Sequence, residues 1–181
     1  LGEVDSVKGP LGWEFSLDAD HLDPVLKIRY LSEAFRAADA GYSGRATVPA
    51  LVDIATGKVV NNEERNLAGE FMTAWVPFHA PTAPNLYPES LREHIDAMNA
   101  VLYADLFGGV SLARDAESQE EYDAGVERVF TRLTDLNDML SKARYLFGTQ
   151  VTDSDIVLFT WLVRFDVSYY ASQNINWRRL G

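Results

Sequence analysis

The sequence contains Thr47-Val48-Pro49-Ala50-Leu51-Val52-Asp53-Ile54, a run whose β-branched and apolar residues are typical of a β-strand. The next four residues, Ala55-Thr56-Gly57-Lys58, have the composition of a turn, and Val59-Val60 then begins a return strand. The segment therefore predicts a β-hairpin. Because proline has no N–H to donate to a neighbouring strand, Pro49 must lie at an edge or a break of the sheet.

The Val48–Pro49 peptide bond is a candidate cis bond. On base rates a trans proline that opens a strand is favoured, since only about 5–6% of X–Pro bonds in folded proteins are cis. A cis bond would turn the N–H and C=O groups of Val48 outward. An extended peptide could then pair with them as an added strand does.

The segments on both sides of the hairpin predict further elements of a mixed α/β half. Downstream, Asn62 is a candidate N-cap for a helix from Glu63 to about Ala74, whose acidic first turn suits the helix dipole. Upstream, Val4 to Val7 is a candidate short strand. Apolar residues at helical spacing predict a helix from about Pro24 to Ala38.

Four prolines between residues 77 and 88 divide the chain, and the patterns that follow them are helical. Apolar residues from Leu91 to Leu106 predict an amphipathic helix, which Gly108-Gly109 should end. Ser118 begins a second helix, expected to stop near Gly148.

A third helix is predicted to begin at Thr152-Asp153-Ser154-Asp155, which has the pattern of a capping box. The stretch from Ile156 to Val163 is apolar nearly all round, so this helix is expected at the centre of a helical bundle.

The composition excludes several classes of protein. The 181 residues carry 27 Asp+Glu against 16 Lys+Arg, a net charge of −11, which argues against a nucleic-acid binder. The longest apolar run, Ile156 to Val163, is far shorter than the ~20 residues of a membrane-spanning helix. No signal-peptide pattern is visible at the start of the sequence, and we expect no membrane partner.

The residues that bind metals and attack electrophiles are sparse. His21, His79 and His94 lie in different segments without ligand spacing, so no metal site is predicted. The 181 residues contain no Cys, so no cysteine nucleophile lies among them.

Taken together, these elements resemble a glutathione transferase, in which a thioredoxin-like domain precedes a helical one. The detailed similarity is to the Xi class, the glutathionyl-hydroquinone reductases. Six segments in the same order carry it: Gly12-Trp13-Glu14-Phe15, Tyr42-Ser43-Gly44-Arg45-Ala46-Thr47-Val48-Pro49, Val60-Asn61-Asn62-Glu63, Leu86-Tyr87-Pro88-Glu89, Tyr145-Leu146-Phe147-Gly148 and Leu162-Val163-Arg164-Phe165-Asp166.

The resemblance implies an α/β plus all-α architecture. Residues 1–76 would be a partial thioredoxin-like half whose first strand and helix, with the family's Cys-Pro-Trp motif, lie upstream of Leu1. Residues 86–181 would be the helical C-terminal domain, itself incomplete at its end. The same resemblance implies a cis Val48–Pro49 bond.

The resemblance also implies a glutathione site in the first half. Trp13 would contact glutathione, and Arg45, Ala46, Thr47 and Val48 would line it, with Val48 pairing to its cysteinyl backbone. Glu63 would hold the γ-glutamyl end. From the residues alone, packing is the favoured explanation of Trp13.

Two positions depart from the family pattern. Glu64 stands where the family usually has Ser, and a second carboxylate beside Glu63 would repel the γ-glutamyl carboxylate. From the residues alone, both glutamates are also explained by the helix dipole. Ser111 stands in the place of a tyrosine proton donor.

The implied activity is the glutathione-dependent reduction of glutathionyl-hydroquinones through a cysteine outside these residues. Tyr169 matches a tyrosine that helps to lower the pKa of that cysteine. Glutathione would be the co-substrate, a quinol conjugate the substrate, and the protein a cytoplasmic homodimer. Two alternatives stay open: a non-catalytic transferase-like binding or assembly domain, and an enzyme that uses a related thiol.

Overall fold

The computed structural model describes residues 3–5 and 7–177. The chain divides into two compact units, Leu1–Phe78 and His79–Gly181. Each unit is described by itself below.

The first unit contains two short helices and a hairpin. Its elements are helix α1 (Leu31–Ala38), strands β1 (Leu51–Asp53) and β2 (Lys58–Asn61), helix α2 (Glu64–Met72), and 3₁₀ turns at Ala19–His21 and Val76–Phe78.

The predicted hairpin is confirmed, although its first strand is shorter than expected. The strands pair antiparallel with Val52 opposite Val59, and the register shifts between Leu51 and Val52. The Asp53 carboxylate accepts hydrogen bonds from the Thr56 N–H at 2.8 Å and the Thr56 hydroxyl at 3.0 Å. Gly57 adopts φ +69°, which closes the turn without steric cost.

The prediction of a helix from Pro24 is wrong, because α1 begins only at Leu31. The Asp23 carboxylate instead accepts from the N–H of Val25 at 3.0 Å and stabilises a turn. Lys27 has φ +58°, which an α-helix does not tolerate.

The strand expected at residues 4–7 is also wrong for the described part of that segment. The Asp5 N–H donates to the Glu14 carbonyl at 2.7 Å, but no strand forms there.

Helix α2 begins one residue later than predicted, with Glu63 and not Asn62 as its N-cap. The Asn62 side chain is engaged elsewhere, since its amide donates to the Thr47 hydroxyl at 2.8 Å. The helix ends at Met72, two residues before the predicted end at Ala74.

The core of the first unit is small. Among the described residues, four buried hydrophobic side chains form it: Phe15, Leu31, Phe35 and Ala46. Trp13 and Tyr42 are partly buried against this cluster.

The second unit is helical. It contains α3 (Arg92–Leu102), a π turn (Tyr103–Phe107), α4 (Gly108–Arg114), α5 (Gln119–Leu140), α6 (Asp153–Leu162), a second π turn (Phe165–Tyr169) and α7 (Tyr170–Ser172), with a 3₁₀ turn at Glu89–Leu91 before α3.

The two predicted helix caps in this unit, at Ser118 and Thr152, are confirmed. The Ser118 hydroxyl accepts from the Glu121 N–H at 3.2 Å at the start of α5. At the start of α6 the Asp155 carboxylate accepts from the Thr152 N–H at 2.8 Å and from the Leu146 N–H at 2.9 Å.

The prediction that Gly108-Gly109 ends a helix is wrong, because helical structure continues to Arg114. Both Gly109 and Gly125 lie where α4 and α5 pack closely. A Cβ on Gly109 would lie 2.7 Å from a Val129 methyl carbon, and one on Gly125 would lie 2.6 Å from the Ala113 nitrogen. The glycines therefore serve helix packing.

Helix α5 ends at Leu140, eight residues before the predicted end at Gly148. The bundle-centre prediction for α6 holds for one face only. Trp161 is fully buried and Leu158 is 4% exposed, whereas Phe159 is 63% exposed and Ile156 is 42% exposed.

The core of the second unit is large, with fourteen buried residues among those described, on every helix from α3 to α6 and on the segments around them. No helix in the described part of the chain is both long enough and apolar enough to cross a membrane.

Candidate functional site

The first group of candidate residues lies around the loop that precedes β1. The Tyr42 hydroxyl donates to the Arg45 carbonyl at 2.8 Å, and the Asn62 amide donates to the Thr47 hydroxyl at 2.8 Å. The second bond joins the loop to the start of α2. The structure therefore joins residues 45–48 to Asn62, the residue that precedes Glu63 and Glu64.

Val48 precedes a peptide bond that has the isomer implied by the resemblance. The Val48–Pro49 bond is cis. The Val48 side chain is 46% exposed, and no partner for its N–H or C=O occurs within residues 3–5 and 7–177. These two groups can hydrogen-bond an extended peptide ligand. Ala46 is only 7% exposed, so its side chain belongs to the core.

Glu63 and Glu64 both lie exposed at the N-terminus of α2. The Glu63 N–H donates to Asn61 Oδ1 at 2.9 Å, and the Glu63 carbonyl accepts from the Leu67 N–H at 2.9 Å. The Glu63 side chain makes no capping bond. The helix start thus offers a carboxylate for a ligand ammonium and backbone N–H groups for a ligand carboxylate.

Trp13 and Arg45 differ in accessibility. Trp13 is partly buried against the core of the first unit, and its carbonyl accepts from the Leu31 N–H at 3.0 Å. The packing role that the sequence left open is therefore real for Trp13. Arg45 is exposed.

A hollow of about 480 Å³ borders Val48 and Pro49. Most of its lining is apolar, and the buried carboxylate in it, Asp23, accepts hydrogen bonds from the N–H groups of Val25 and Leu26. This carboxylate holds a turn, whereas Glu3, the other acidic residue of the lining, is exposed.

The second group lies in the helical unit, where Tyr169 and Ser111 line one cavity of about 200 Å³. The sequence analysis singled out both residues. It missed four others that complete the lining: Phe107, Val110, Arg114 and Gln173. Helical spacing could have found them, because positions 107, 110, 111 and 114 share one helix face and 169 and 173 are one turn apart.

One wall of the cavity is the Tyr169 side chain, which packs against Trp161. The Tyr169 ring stacks on the Trp161 ring with centroids 5.1 Å apart and planes 27° apart, and Trp161 is fully buried. This packing holds Tyr169 in place at the cavity.

The charge of Arg114 is compensated by its neighbour. Its guanidinium donates to the two Asp115 carboxylate oxygens at 2.7 and 2.6 Å. The hydrogen bond and the charge of Asp115 raise the pKa of Arg114, and the Arg114 hydrogen bond lowers the pKa of Asp115. The cavity therefore presents a neutralised ion pair.

In the part of the chain that the structure describes, no cluster of three or more His, Cys, Asp or Glu side chains could hold a metal ion.

Comparison with known proteins places these features in a family. Residues 119–180 match the family model of the glutathione S-transferase C-terminal domain. The glutathionyl-hydroquinone reductase YqjG of Escherichia coli K12 is 39% identical over 170 residues, which cover 91% of this chain and 52% of that protein. The chain spans about half the length of the curated relatives it matches.

Solved structures show the same fold. A glutathione transferase from Gordonia bronchialis is 40% identical with a TM-score of 0.92, covering 96% of this chain and 54% of that one. The glutathione-bound structure of E. coli YqjG is 36% identical with a TM-score of 0.87, and the match covers 97% of this chain and 57% of that one. Glutathione transferase Xi 1 from Trametes versicolor is 35% identical with a TM-score of 0.86, and the match covers 98% of this chain and 63% of that one.

These similarities confirm the fold class expected from the resemblance, a thioredoxin-like part followed by a glutathione-transferase-type helical domain. Residues 119–180 match the C-terminal domain of glutathione S-transferases, and over nearly its whole length the chain is similar to Xi-class members of that superfamily.

Proposed function

We propose that this chain is part of an enzyme that reduces glutathionyl-hydroquinones with glutathione. The observation that carries the proposal is the 39% identity to a glutathionyl-hydroquinone reductase over 91% of the chain. The loop before β1 and the Tyr169 cavity support it, because they offer surfaces suited to a peptide thiol and to an aromatic ring. Residues 1–76 supply the thioredoxin-like part and residues 86–181 the helical domain.

Glutathione binds to the first unit through three kinds of contact. The N–H and C=O of Val48 pair with the backbone of its cysteinyl residue. Glu63 binds the γ-glutamyl ammonium, while the first N–H groups of α2 bind the γ-glutamyl carboxylate. Arg45, Ala46 and Thr47 line the site, and Trp13 completes it from the core side. Glu64 opposes this binding through repulsion of the γ-glutamyl carboxylate.

The reaction needs a cysteine thiolate that lies outside the 181 residues, since these contain no Cys. The thiolate attacks the sulfur of the conjugate, and the carbon–sulfur bond breaks with its electron pair on the ring carbon, which takes up a proton. A second glutathione then resolves the mixed disulfide and leaves as glutathione disulfide. Tyr169 supports the thiolate by hydrogen bonding, which lowers a thiol pKa.

The protein acts in the cytoplasm as a homodimer, and a quinol conjugate and glutathione or a related thiol are its small-molecule partners. The net charge of −11 supports a role without nucleic acid. Sedimentation of the purified protein tests the dimer, and fractionation of the source cells tests the compartment.

The test of the activity uses the complete gene product, whose intact mass and N-terminal sequence are determined first. It is mixed with an S-glutathionyl-hydroquinone and glutathione, and the release of hydroquinone and glutathione disulfide is measured. We expect a mass above 20.2 kDa, a Cys-Pro-Trp segment, turnover, and a loss of about tenfold or more in kcat/KM for Tyr169→Phe.

A complete gene product without a cysteine, or one with no turnover of the conjugate, would contradict the proposal. Glutathione binding without turnover would identify the rival, a non-catalytic binding or assembly domain. Turnover with another low-molecular-weight thiol in place of glutathione would identify the third alternative.

A further inference from the structure

The backbone of Tyr169 is fixed at the end of the second π turn. Its carbonyl accepts hydrogen bonds from the Gln173 N–H at 3.2 Å and from the Ile175 N–H at 3.1 Å, and Ile175 is fully buried. Turns of this kind inside helices are frequent at functional sites. The side-chain torsions of Tyr169 still decide where its hydroxyl lies.

The Trp161 indole restricts those torsions. Trp161 is fully buried on α6, and its ring stacks on the Tyr169 ring with centroids 5.1 Å apart and planes 27° apart. On the Trp161 ring also packs Phe165, with centroids 5.2 Å apart and planes 41° apart. Side chains in a close-packed core stay in their rotamers on average, so the indole is a rigid surface for the phenol.

Trp161 is also a costly residue for a core position. Its indole N–H is buried and has no acceptor within residues 3–5 and 7–177. A buried donor without an acceptor destabilises the fold, whereas a leucine or a phenylalanine would bring no such group. A residue that breaks a rule of core packing is expected where function requires it. The flat face that Trp161 turns to Tyr169 is the feature that a leucine lacks.

We propose that Trp161 is a positioning residue of the reductase, whose indole face holds the Tyr169 hydroxyl in the place from which it hydrogen-bonds the reactive thiolate. The inference rests on the proposed function, because it assumes the role given there to Tyr169. Trp161 is fully buried and acts only through Tyr169.

The first test follows kcat/KM for an S-glutathionyl-hydroquinone against pH, with glutathione and the complete gene product. Trp161→Leu removes the flat face and keeps an apolar core residue. Without the positioned hydroxyl the pKa of the thiol rises, so less thiolate is present at low pH. We expect the acid limb of the profile to move up by about one pH unit, with kcat/KM below it about tenfold lower, as in Tyr169→Phe.

Two further variants separate positioning from core packing. Trp161→Phe keeps an aromatic face and should retain the acid limb of the wild type. Phe130 is 6% exposed in the same core, and its ring packs against those of Phe165 and Trp177. Phe130→Leu should lower the free energy of unfolding, measured by urea denaturation, and leave the pH profile unchanged.

A second readout needs no turnover. In protein labelled with ¹³C in the tyrosine rings, the Tyr169 resonance is identified by its absence from Tyr169→Phe. The π system of a stacked indole displaces the proton resonances of the ring upfield. We expect this displacement in the wild type and in Phe130→Leu, and its loss in Trp161→Leu.

A wild-type acid limb in Trp161→Leu would overturn the inference, as would an equal movement of the limb in Phe130→Leu or an unchanged profile in Tyr169→Phe. An undisplaced Tyr169 resonance in the wild type would overturn it without any Trp161 variant, so the test survives if Trp161→Leu does not fold. Absence of turnover in the wild type would reject the proposed function. A Tyr169 resonance that depends on Trp161, found together with it, would keep the positioning role.

Discussion

The two units hold their candidate site residues by different means. In the first unit, the loop at residues 45–48 is fixed by single side-chain hydrogen bonds from Tyr42 and Asn62, beside a core of four buried residues among those described. In the second unit, Tyr169 stacks on Trp161, which belongs to a core of fourteen buried residues among those described.

This difference implies different responses to mutation. Burial of large side chains contributes several kcal/mol each, whereas a single hydrogen bond between partly exposed groups contributes about 1 kcal/mol. Core substitutions in the helical unit should therefore lower its free energy of unfolding by several kcal/mol. Substitutions in the first unit should instead alter the geometry of the loop with little loss of stability.

The largest expected effect is that of Phe165→Ala in the second unit. Phe165 is fully buried between Phe130, at 6.0 Å between ring centroids, and Trp161, at 5.2 Å. Its truncation should lower the free energy of unfolding by about 3–5 kcal/mol, measured by urea denaturation. Phe159→Ala, at a 63% exposed position, is the control and should change it by less than about 0.5 kcal/mol. Equal losses would show that the core does not carry the stability.

The next effect is that of Asp155→Ala, which removes the capping box of α6. The Leu146 N–H and the Thr152 N–H lose their acceptor, so the free energy of unfolding should fall by about 2 kcal/mol.

Asp153→Asn, in the same first turn, is the matched control. Burial raises the pKa of Asp153, so its ionisation in the folded protein reduces stability as the pH rises above about 4. The variant should therefore gain stability relative to the wild type between pH 4 and pH 7. A loss as large as that of Asp155→Ala would contradict the distinction.

A smaller effect is expected for Asp105→Asn, which removes the ion pairs between the first π turn and α5. Burial opposes ionisation of Asp105, but hydrogen bonds from Arg132 at 2.8 Å and Arg128 at 2.9 Å outweigh it and lower the pKa of Asp105. The stabilisation is present above about pH 4 and is lost as the pH falls through the lowered pKa.

The variant should thus be about 1 kcal/mol less stable at pH 7 and equal to the wild type near pH 2, by thermal denaturation at each pH. A difference that persists unchanged at the lowest pH would exclude the ion pairs as its cause.

The smallest effect on stability is expected for Asn62→Ala in the first unit. Loss of its hydrogen bond to Thr47 should cost about 0.5–1 kcal/mol but release the loop that carries Val48. Amide hydrogen exchange should therefore accelerate at residues 45–48 and stay unchanged in α5. Exchange that accelerates equally in both places would show global destabilisation in place of local release.

The sequence predicted the helical unit better than the first one, for physical reasons. Long amphipathic helices and their caps at Ser118 and Thr152 follow from local periodicity and local hydrogen bonds. The continuation through Gly109 did not, because the close approach of α5 at Gly125 is a tertiary contact.

In the first unit, local signals misled because side chains stabilise turns in place of a helix. The turn that Asp23 stabilises and the positive φ of Lys27 make α1 begin later in the sequence than predicted. Asn62 donates to Thr47, and Glu63 is therefore the N-cap of α2. Gln173 lies one helical turn after Tyr169, but only the fold brings that turn to the α4 residues of the same cavity, and the sequence analysis therefore missed it.

Calorimetric titration of the 181-residue chain with glutathione tests the central claim most directly. We predict saturable binding that Glu63→Gln weakens about tenfold, because the γ-glutamyl ammonium loses its partner. Glu64→Ser should tighten it, because the repulsive carboxylate is removed. Absence of glutathione binding, or binding indifferent to Glu63, would contradict the account.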